Sequence, residues 1–218
     1  MVIKLENIWY KYPGSRKWVL ENINVVFEKS RVYSIVGPNA IGKTTLLKVA
    51  GLIYKPVRGR VYVDGVDYWS SGRKEKLVLR RRVVYVPERP VLLRGSVLYN
   101  VAYGLILRGA KREDALEKAR RYLHNLGLEY LASKRVDKLS AGEAQLVSLL
   151  RALILNTDYI LLDEPLAHLD IDKRNILVNL INSIRKAKGV VITTHNIDFA
   201  EKISDQILVF NKDLKPLR

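Results

Sequence analysis

The sequence predicts an α/β fold built on a mainly parallel sheet, with an antiparallel β patch on its N-terminal side and an inserted helical subdomain. Three observations carry this expectation. Short apolar runs alternate with longer helical patterns, as in a parallel sheet covered by helices. The N-terminal stretch instead holds shorter strand-like runs joined by turns. Residues from about 90 to 157 contain no strand-like run at all.

In order along the chain, Val2 to Tyr10 and Val19 to Phe27 read as strands of the antiparallel patch, completed by Arg60 to Val63. Val32 to Val36, Val83 to Val86, Tyr159 to Asp163, Val190 to Thr194 and Gln206 to Phe210 are short, nearly continuous apolar runs, the pattern of strands buried on both faces. In the middle block, Ser96 to Leu107 and Glu113 to Leu126 are predicted helices. In the second, Leu116, Ala119, Leu123 and Leu126 recur at helical spacing. From Ala144 to Leu155 only Gln145, Ser148 and Arg151 are polar, which predicts a buried helix. The segment ahead of it, LSAGEAQ, has the composition of a helix start: Ser140 can cap, Gly142 can turn the chain, and Glu143 favours the positive end of the helix dipole.

A chain of 218 residues, 48% of them hydrophobic, suffices for one such domain with a large core. No apolar run reaches the roughly 18 residues of a membrane-spanning helix, and the opening MVIKLENIWYKY lacks the apolar core of a signal peptide. The absence of cysteine excludes disulfides and thiolate metal sites and agrees with a cytoplasmic location. The 38 Lys and Arg against 22 Asp and Glu give a net charge of +16. Such an excess can favour nucleic acid, an anionic membrane face or acidic ligands, and equally a solvated surface with a thermophilic bias. The basic residues are scattered, densest at Arg80 to Arg82 and Arg185 to Lys188, and are not interleaved with stacking aromatics. Charge alone therefore selects no partner.

Three segments carry chemistry. VYSIVG runs into GPNAIGKTT, residues 37 to 45, and then into LLKVAGL, the strand–GxxxxGK[ST]–helix order of a phosphate-binding loop. Gly37 and Gly42 let successive N–H groups point at phosphate oxygens, and the following helix adds its positive end. Lys43 would pair with β- and γ-phosphates, and Thr44 would hold Mg²⁺. YILLDEP, residues 159 to 165, places Asp163 at the carboxyl edge of the sheet, where it can hold Mg²⁺, with Glu164 next to it as general base for water. The strand VVITT ends at His195, which either caps the next helix or reaches a γ-phosphate and the attacking water. His124 and His168 form no metal-ligand spacing with it, and His124, in the last turn of a predicted helix, reads as structural.

GPNAIGKTT, LSAGE, ILLDEP with AHLD (167 to 170) and the His195 strand occur in the order and spacing of ATP-binding cassette (ABC) ATPases, and the resemblance spans essentially the whole chain. It implies a P-loop NTPase in which 1–89 and 158–218 form the nucleotide-binding core of a single domain, 1–218, and about 90–157 the helical subdomain. ATP and Mg²⁺ are the implied ligands. Gly37, Pro38, Asn39, Ala40, Ile41, Gly42, Lys43, Thr44 and Thr45 would surround the phosphates. Tyr12 falls where the family stacks an aromatic on adenine, although by itself it reads equally as a strand-edge residue. Ser140, Ala141, Gly142 and Glu143 correspond to the LSGGQ-type segment, which serves the nucleotide of the other subunit in a head-to-tail dimer, and Asp170 belongs to the AHLD element. Here Ser140 would donate to the γ-phosphate, and Gly142 would allow close backbone approach.

The chain departs from the family pattern at Ala40, where a glycine is usual, at Ala141 and Glu143, and at Glu88 in YVPERP, where a glutamine usually approaches Mg²⁺ and the attacking water; the resemblance implies that Glu88 keeps the oxygen ligand for Mg²⁺ and adds a negative charge beside Asp163 and Glu164. The resemblance further implies a separate integral membrane permease, a homodimer or a heterodimer with a related ATPase, and a position at the cytoplasmic face of the membrane. RPVLLRGSVLYNVAYGLILRG is similar to importer ATPases, some of them for oxyanions such as tungstate or molybdate, which would add a solute-binding protein. An unfused exporter ATPase, a soluble cassette acting on nucleic acid or ribosomes, and a generic P-loop kinase are the competing readings. Nucleic acid is not the expected partner.

Overall fold

The computed structural model describes residues 2–211 and 213–216, the last four as backbone only. The chain forms two compact units. The first comprises Met1–Tyr85, Thr157–Glu164 and Val178–Arg218; the second comprises Val86–Asn156 and Pro165–Leu177.

The first unit contains two sheets. Strands β1 (Val2–Tyr10), β2 (Leu20–Glu28), β4 (Arg58–Val63) and β5 (Val66–Asp67) pair antiparallel in the order β2-β1-β4-β5. The larger sheet runs β10-β9-β3-β8-β7-β6, from β3 (Val32–Val36), β6 (Val83–Val86), β7 (Tyr159–Asp163), β8 (Gly189–Thr194), β9 (Gln206–Asn211) and β10 (Asp213–Pro216). Here β9, β3, β8 and β7 are parallel, and β10 returns antiparallel along β9. Every residue of β3, β7 and β8 is buried, which is why these strands read as unbroken apolar runs. Helix α1 (Lys43–Ala50) buries Leu46, Leu47, Val49 and Ala50 in a core shared with Ile3, Leu5 and Phe27 of the small sheet and Ile35, Leu161 and Val191 of the large one.

An ion network stitches the two sheets. Asp158, just before β7, accepts from Lys29 at 2.8 Å and from Arg82 at 2.7 Å, and Arg82 also reaches Asp64 at 2.7 Å. Burial raises the Asp158 pKa, but the hydrogen bonds from Lys29 and Arg82 outweigh it and hold the carboxyl below the ordinary aspartate value.

The remaining helices are α2 (Arg73–Arg81), α6 (Ile171–Ile184) and α7 (Ile197–Ile203). In α2 only Leu79 is buried, while its neighbours Leu77 and Val78 are exposed.

The second unit packs α3 (Val97–Leu107) against α4 (Arg112–Asn125) and α5 (Ala141–Leu153). Val97, Val101, Ala119, Leu123, Leu146, Val147 and Leu150 are buried there. Ser96 is the cap of α3 and not its first residue, accepting from the Tyr99 N–H at 3.2 Å. The buried Asn100 side chain bonds both backbone groups of Leu93, and Arg151 donates to the Val91 carbonyl at 2.7 Å. These bonds fix the segment that follows Glu88. His124 does end α4, but on the surface, bonded to Glu129 at 2.8 Å.

Candidate functional site

Residues 37–42 connect β3 to α1, and the loop is held by its own groups. Gly42 caps the helix at φ +116°, a conformation that L side chains rarely adopt, and its carbonyl accepts from the Leu46 N–H at 2.9 Å. Ala40 sits at φ +61°, so this loop position does carry a β-carbon in left-handed backbone. Lys43 is 6% exposed; its Nζ donates to the Gly37 carbonyl at 2.7 Å and the Pro38 carbonyl at 3.1 Å, and lies 3.7 Å from Glu164 Oε1. Pro38, Asn39 and Ala40 are exposed and Ile41 is half-buried.

Tyr12 lies just beyond β1, with its hydroxyl 2.9 Å from Thr45 Oγ1. Its ring meets Tyr10 and Tyr54 edge-on, while Tyr10 and Tyr54 stack face to face at 5.3 Å. These rings, with Pro13, Ile53 and Val57, line a cleft of about 540 Å³. Tyr12 therefore stands next to the phosphate loop in a partly aromatic cleft.

Asp163 closes β7 and is 2% exposed. Its Oδ1 accepts from Thr44 at 3.0 Å and Thr193 at 2.6 Å, and its Oδ2 accepts from Tyr85 at 2.9 Å. The parallel pairing of β7 and β8 sets Asp163 opposite Thr193. Glu164 has left-handed backbone, φ +43°, held by its N–H donating to the Thr193 carbonyl at 3.1 Å. That turn brings the Glu164 carboxylate between Lys43 and His195, whose Nδ1 lies 3.0 Å from Oε2. His195 is 71% exposed and does not cap α7; Asn196 does, accepting from Phe199 N–H at 2.8 Å. A cation, a carboxylate and an imidazole thus stand in a row along the carboxyl edge of the sheet.

This donor set suits Mg²⁺. Among the described residues no three His, Asp or Glu side chains cluster as a self-sufficient metal cage. Among the described residues, the buried Asp163 carboxylate pairs with no cation and stands beside the Thr44 hydroxyl, the sparse protein ligation expected of an ion completed by substrate phosphates and water.

In the second unit, Ser140 caps α5 within a full capping box. Its Oγ accepts from the Glu143 N–H at 3.2 Å, and Glu143 Oε2 accepts from the Ser140 N–H at 2.8 Å. The helix accordingly begins at Ala141, three residues earlier than its apolar pattern suggests. Lys134 bonds both Glu143 oxygens, and this bond, together with that from the Ser140 backbone, holds the Glu143 carboxyl below the usual glutamate value. Gly142 is buried, and a Cβ there would lie 2.7 Å from the His168 carbonyl oxygen. A glycine is needed at this position by the chain's own AHLD backbone, whatever else approaches it. Asp170 is exposed, caps the start of α6 by accepting from the Lys173 N–H at 2.9 Å, and pairs with the Lys173 side chain, which depresses its pKa. Glu88 is exposed in the bend after β6.

Sequence reasoning missed Tyr85 and Thr193. Both look like ordinary strand residues, and the one available signal is that each lies on a strand beside β7.

Comparison with known proteins gives a consistent picture. Residues 20–167 match the ABC transporter family. The chain is 35% identical to the tungstate uptake system ATP-binding protein TupC of Peptoclostridium acidaminophilum, over 95% of this chain and 94% of that protein. It is 34% identical to the phosphate import ATP-binding protein PstB 2 of Natronomonas pharaonis, over 88% of this chain and 71% of that protein. Among solved structures, the dimeric ATP-binding cassette MJ0796 in a post-hydrolysis state with ADP and Pi superposes with a TM-score of 0.88 at 29% identity, covering 99% of both chains. A phosphate-binding loop facing a buried carboxylate and a Glu–His pair, on a fold shared over its full length with an ATP-hydrolysing cassette, identifies this chain as an ATPase of the ABC transporter family.

Proposed function

We propose that this ATPase powers import of a small oxyanion through a separate membrane permease, working as a head-to-tail dimer at the cytoplasmic face of the membrane. The observation that carries the catalytic part is the position of Glu164, 3.7 Å from Lys43 and 3.0 Å from His195. Lys43 exchanges its two loop carbonyls for β- and γ-phosphate oxygens when ATP enters. Glu164 accepts the proton of the attacking water, and His195 orients that carboxylate from its other oxygen. Thr44 and Asp163 hold Mg²⁺, which when bound neutralises charge on the phosphates. Tyr12 stacks on the adenine in the cleft it shares with Tyr54.

Ser140 completes the site of the partner protomer. Its Oγ accepts from the Glu143 N–H and its hydroxyl also serves the Glu143 carboxylate, so donation to a γ-phosphate requires the O–H to turn from that carboxylate toward the charge that the N-terminus of α5 faces. Import of an oxyanion is supported by the named substrates of the two relatives, tungstate and phosphate. The test is transport in vesicles that hold the ATPase with its permease and enclose ATP, in the presence of the matching binding protein. Tungstate, molybdate or phosphate should accumulate inside. Loss of preloaded solute would reverse the direction, and no ATP-dependent movement of any of the three would remove the oxyanion assignment.

A further inference from the structure

Asp163 is a buried carboxylate that, among the described residues, is bonded to three neutral hydroxyls and to no cation. The two oxygens are treated differently. Oδ1 takes both threonine hydroxyls, including that of Thr44 from the phosphate loop, while Oδ2 takes the hydroxyl of Tyr85. We infer that Tyr85 is a positioning residue of the metal site, fixing the rotation of the Asp163 carboxylate so that Oδ1 is the oxygen presented beside Thr44. This rests on the proposed role of Asp163 and extends it.

The physical argument is one of preorganisation. A carboxylate turns about its terminal bond over a broad, shallow well, so burial alone does not select which oxygen faces a ligand. Hydroxyls from two different strands, Tyr85 on β6 and Thr193 on β8, grip the two oxygens from the strands on either side of β7. The bond at 2.9 Å has ordinary length for O–H donating to a carboxylate. When an ion engages Oδ1, Thr44 can turn its oxygen toward that ion, and the Tyr85 bond persists because it lies on the other oxygen. Partners of this kind, one step removed from the metal, typically change metal affinity by about 10- to 100-fold. The ring of Tyr85 packs against the hydrophobic core, so Tyr85→Phe removes the hydroxyl and keeps the packing.

The experiment measures binding, with no turnover required. Mg²⁺ is titrated into parent, Tyr85→Phe and Asp163→Asn proteins holding a non-hydrolysable ATP analogue, following the metal-dependent gain in analogue affinity; the same affinity is measured in EDTA. Thermal melts of the free proteins check folding. Tyr85→Phe is expected to keep the parental affinity in EDTA and to raise the Mg²⁺ midpoint about tenfold. An unchanged midpoint in Tyr85→Phe, with a shifted one in Asp163→Asn, overturns the positioning role and spares the metal role of Asp163. An unchanged midpoint in Asp163→Asn overturns both. Equal losses in EDTA and in Mg²⁺ for Tyr85→Phe would make Tyr85 a structural residue only, which also overturns the inference.

Discussion

The phosphate-loop centre and the LSAGE helix start use their polar groups in opposite ways. At the loop, the groups proposed to act on ATP are bonded to one another: Lys43 to two carbonyls, Asp163 to three hydroxyls, Glu164 to His195. At LSAGE, the capping box and Lys134 satisfy the helix start from within its own neighbourhood, and Ser140 stays exposed. A centre assembled from distant segments holds its charged groups through hydrogen bonds that cross from one segment to another. A site proposed to serve a second protomer must instead be stable without it.

The largest effect should come from the assembled centre. Glu164→Gln removes the proposed base and is expected to slow steady-state ATP turnover at least ~100-fold while ATP affinity is retained. Near-parental turnover would take Glu164 out of that role. Lys43→Ala should instead weaken nucleotide binding by about 10- to 100-fold, the scale of a charge-assisted contact, in an equilibrium titration.

Ser140 separates local from shared function. Ser140→Ala loses the cap and should lower unfolding free energy by about 1 kcal/mol in urea. Ser140→Asp preserves a capping oxygen, so it should retain most of that stability, yet it sets a carboxylate against the partner's phosphate. ATP-driven dimerisation in a Glu164→Gln background, read by light scattering, should be lost in both. A Ser140→Asp protein that still dimerises would confine Ser140 to its capping role. Mixed Ser140→Ala and Lys43→Ala proteins, once subunit exchange is demonstrated, should recover partial turnover, because some dimers then contain one intact composite site.

Glu88 sharpens the contrast further, since it places a carboxylate where the family carries a neutral amide. Glu88→Gln should bind ATP about 2- to 5-fold more tightly than the parent in EDTA, the scale of one exposed like-charge repulsion, with the gap narrowing at saturating Mg²⁺. Equal affinities in EDTA would leave Glu88 as a turn residue or a contact for the permease.

The smallest effect concerns Glu143. Lys134 and the Ser140 N–H lower its folded pKa from 4.5, so the stability it contributes is complete above that value and is lost as pH falls through the lower folded value. Glu143→Gln keeps an acceptor for the Ser140 N–H and removes the titration. Urea unfolding of the parent should therefore weaken more steeply below about pH 4.5 than that of Glu143→Gln. Parallel pH profiles would mean that Lys134 and Glu143 contribute no more than an exposed pair.

Much of this architecture was legible because its signals are local. The strands β3, β6, β7 and β8 announce themselves by uninterrupted apolar residues, and the loop 37–45 by the glycines and lysine that its curvature and charge require. Ser140 was readable as the cap of α5, and the structure adds the reciprocal bond from Glu143, which closes within the same helical turn. By contrast, α2 was not predicted. Its apolar residues, Leu77 to Leu79, are consecutive, and only Leu79 is buried, so they mark neither a helical stripe nor an alternating strand.

By itself, the sequence determined the identities of the acting residues and their local frames. Only the tertiary structure decided which of them meet. Thr44 and Asp163 are 119 positions apart, Glu164 and His195 are 31 apart, and Tyr85 and Asp163 are 78 apart. They converge because parallel pairing aligns strand ends: Val36 opposite Thr194, and Asp163 opposite Thr193. Gly142 makes the same point from the other unit, where what forbids a side chain is the carbonyl of His168. Hydrogen bonds and steric contacts reach only a few ångströms, so residues adjacent in sequence can be paired by inspection. Partners far apart along the chain become neighbours only through the register of the sheet and the packing of helices, which no local pattern encodes.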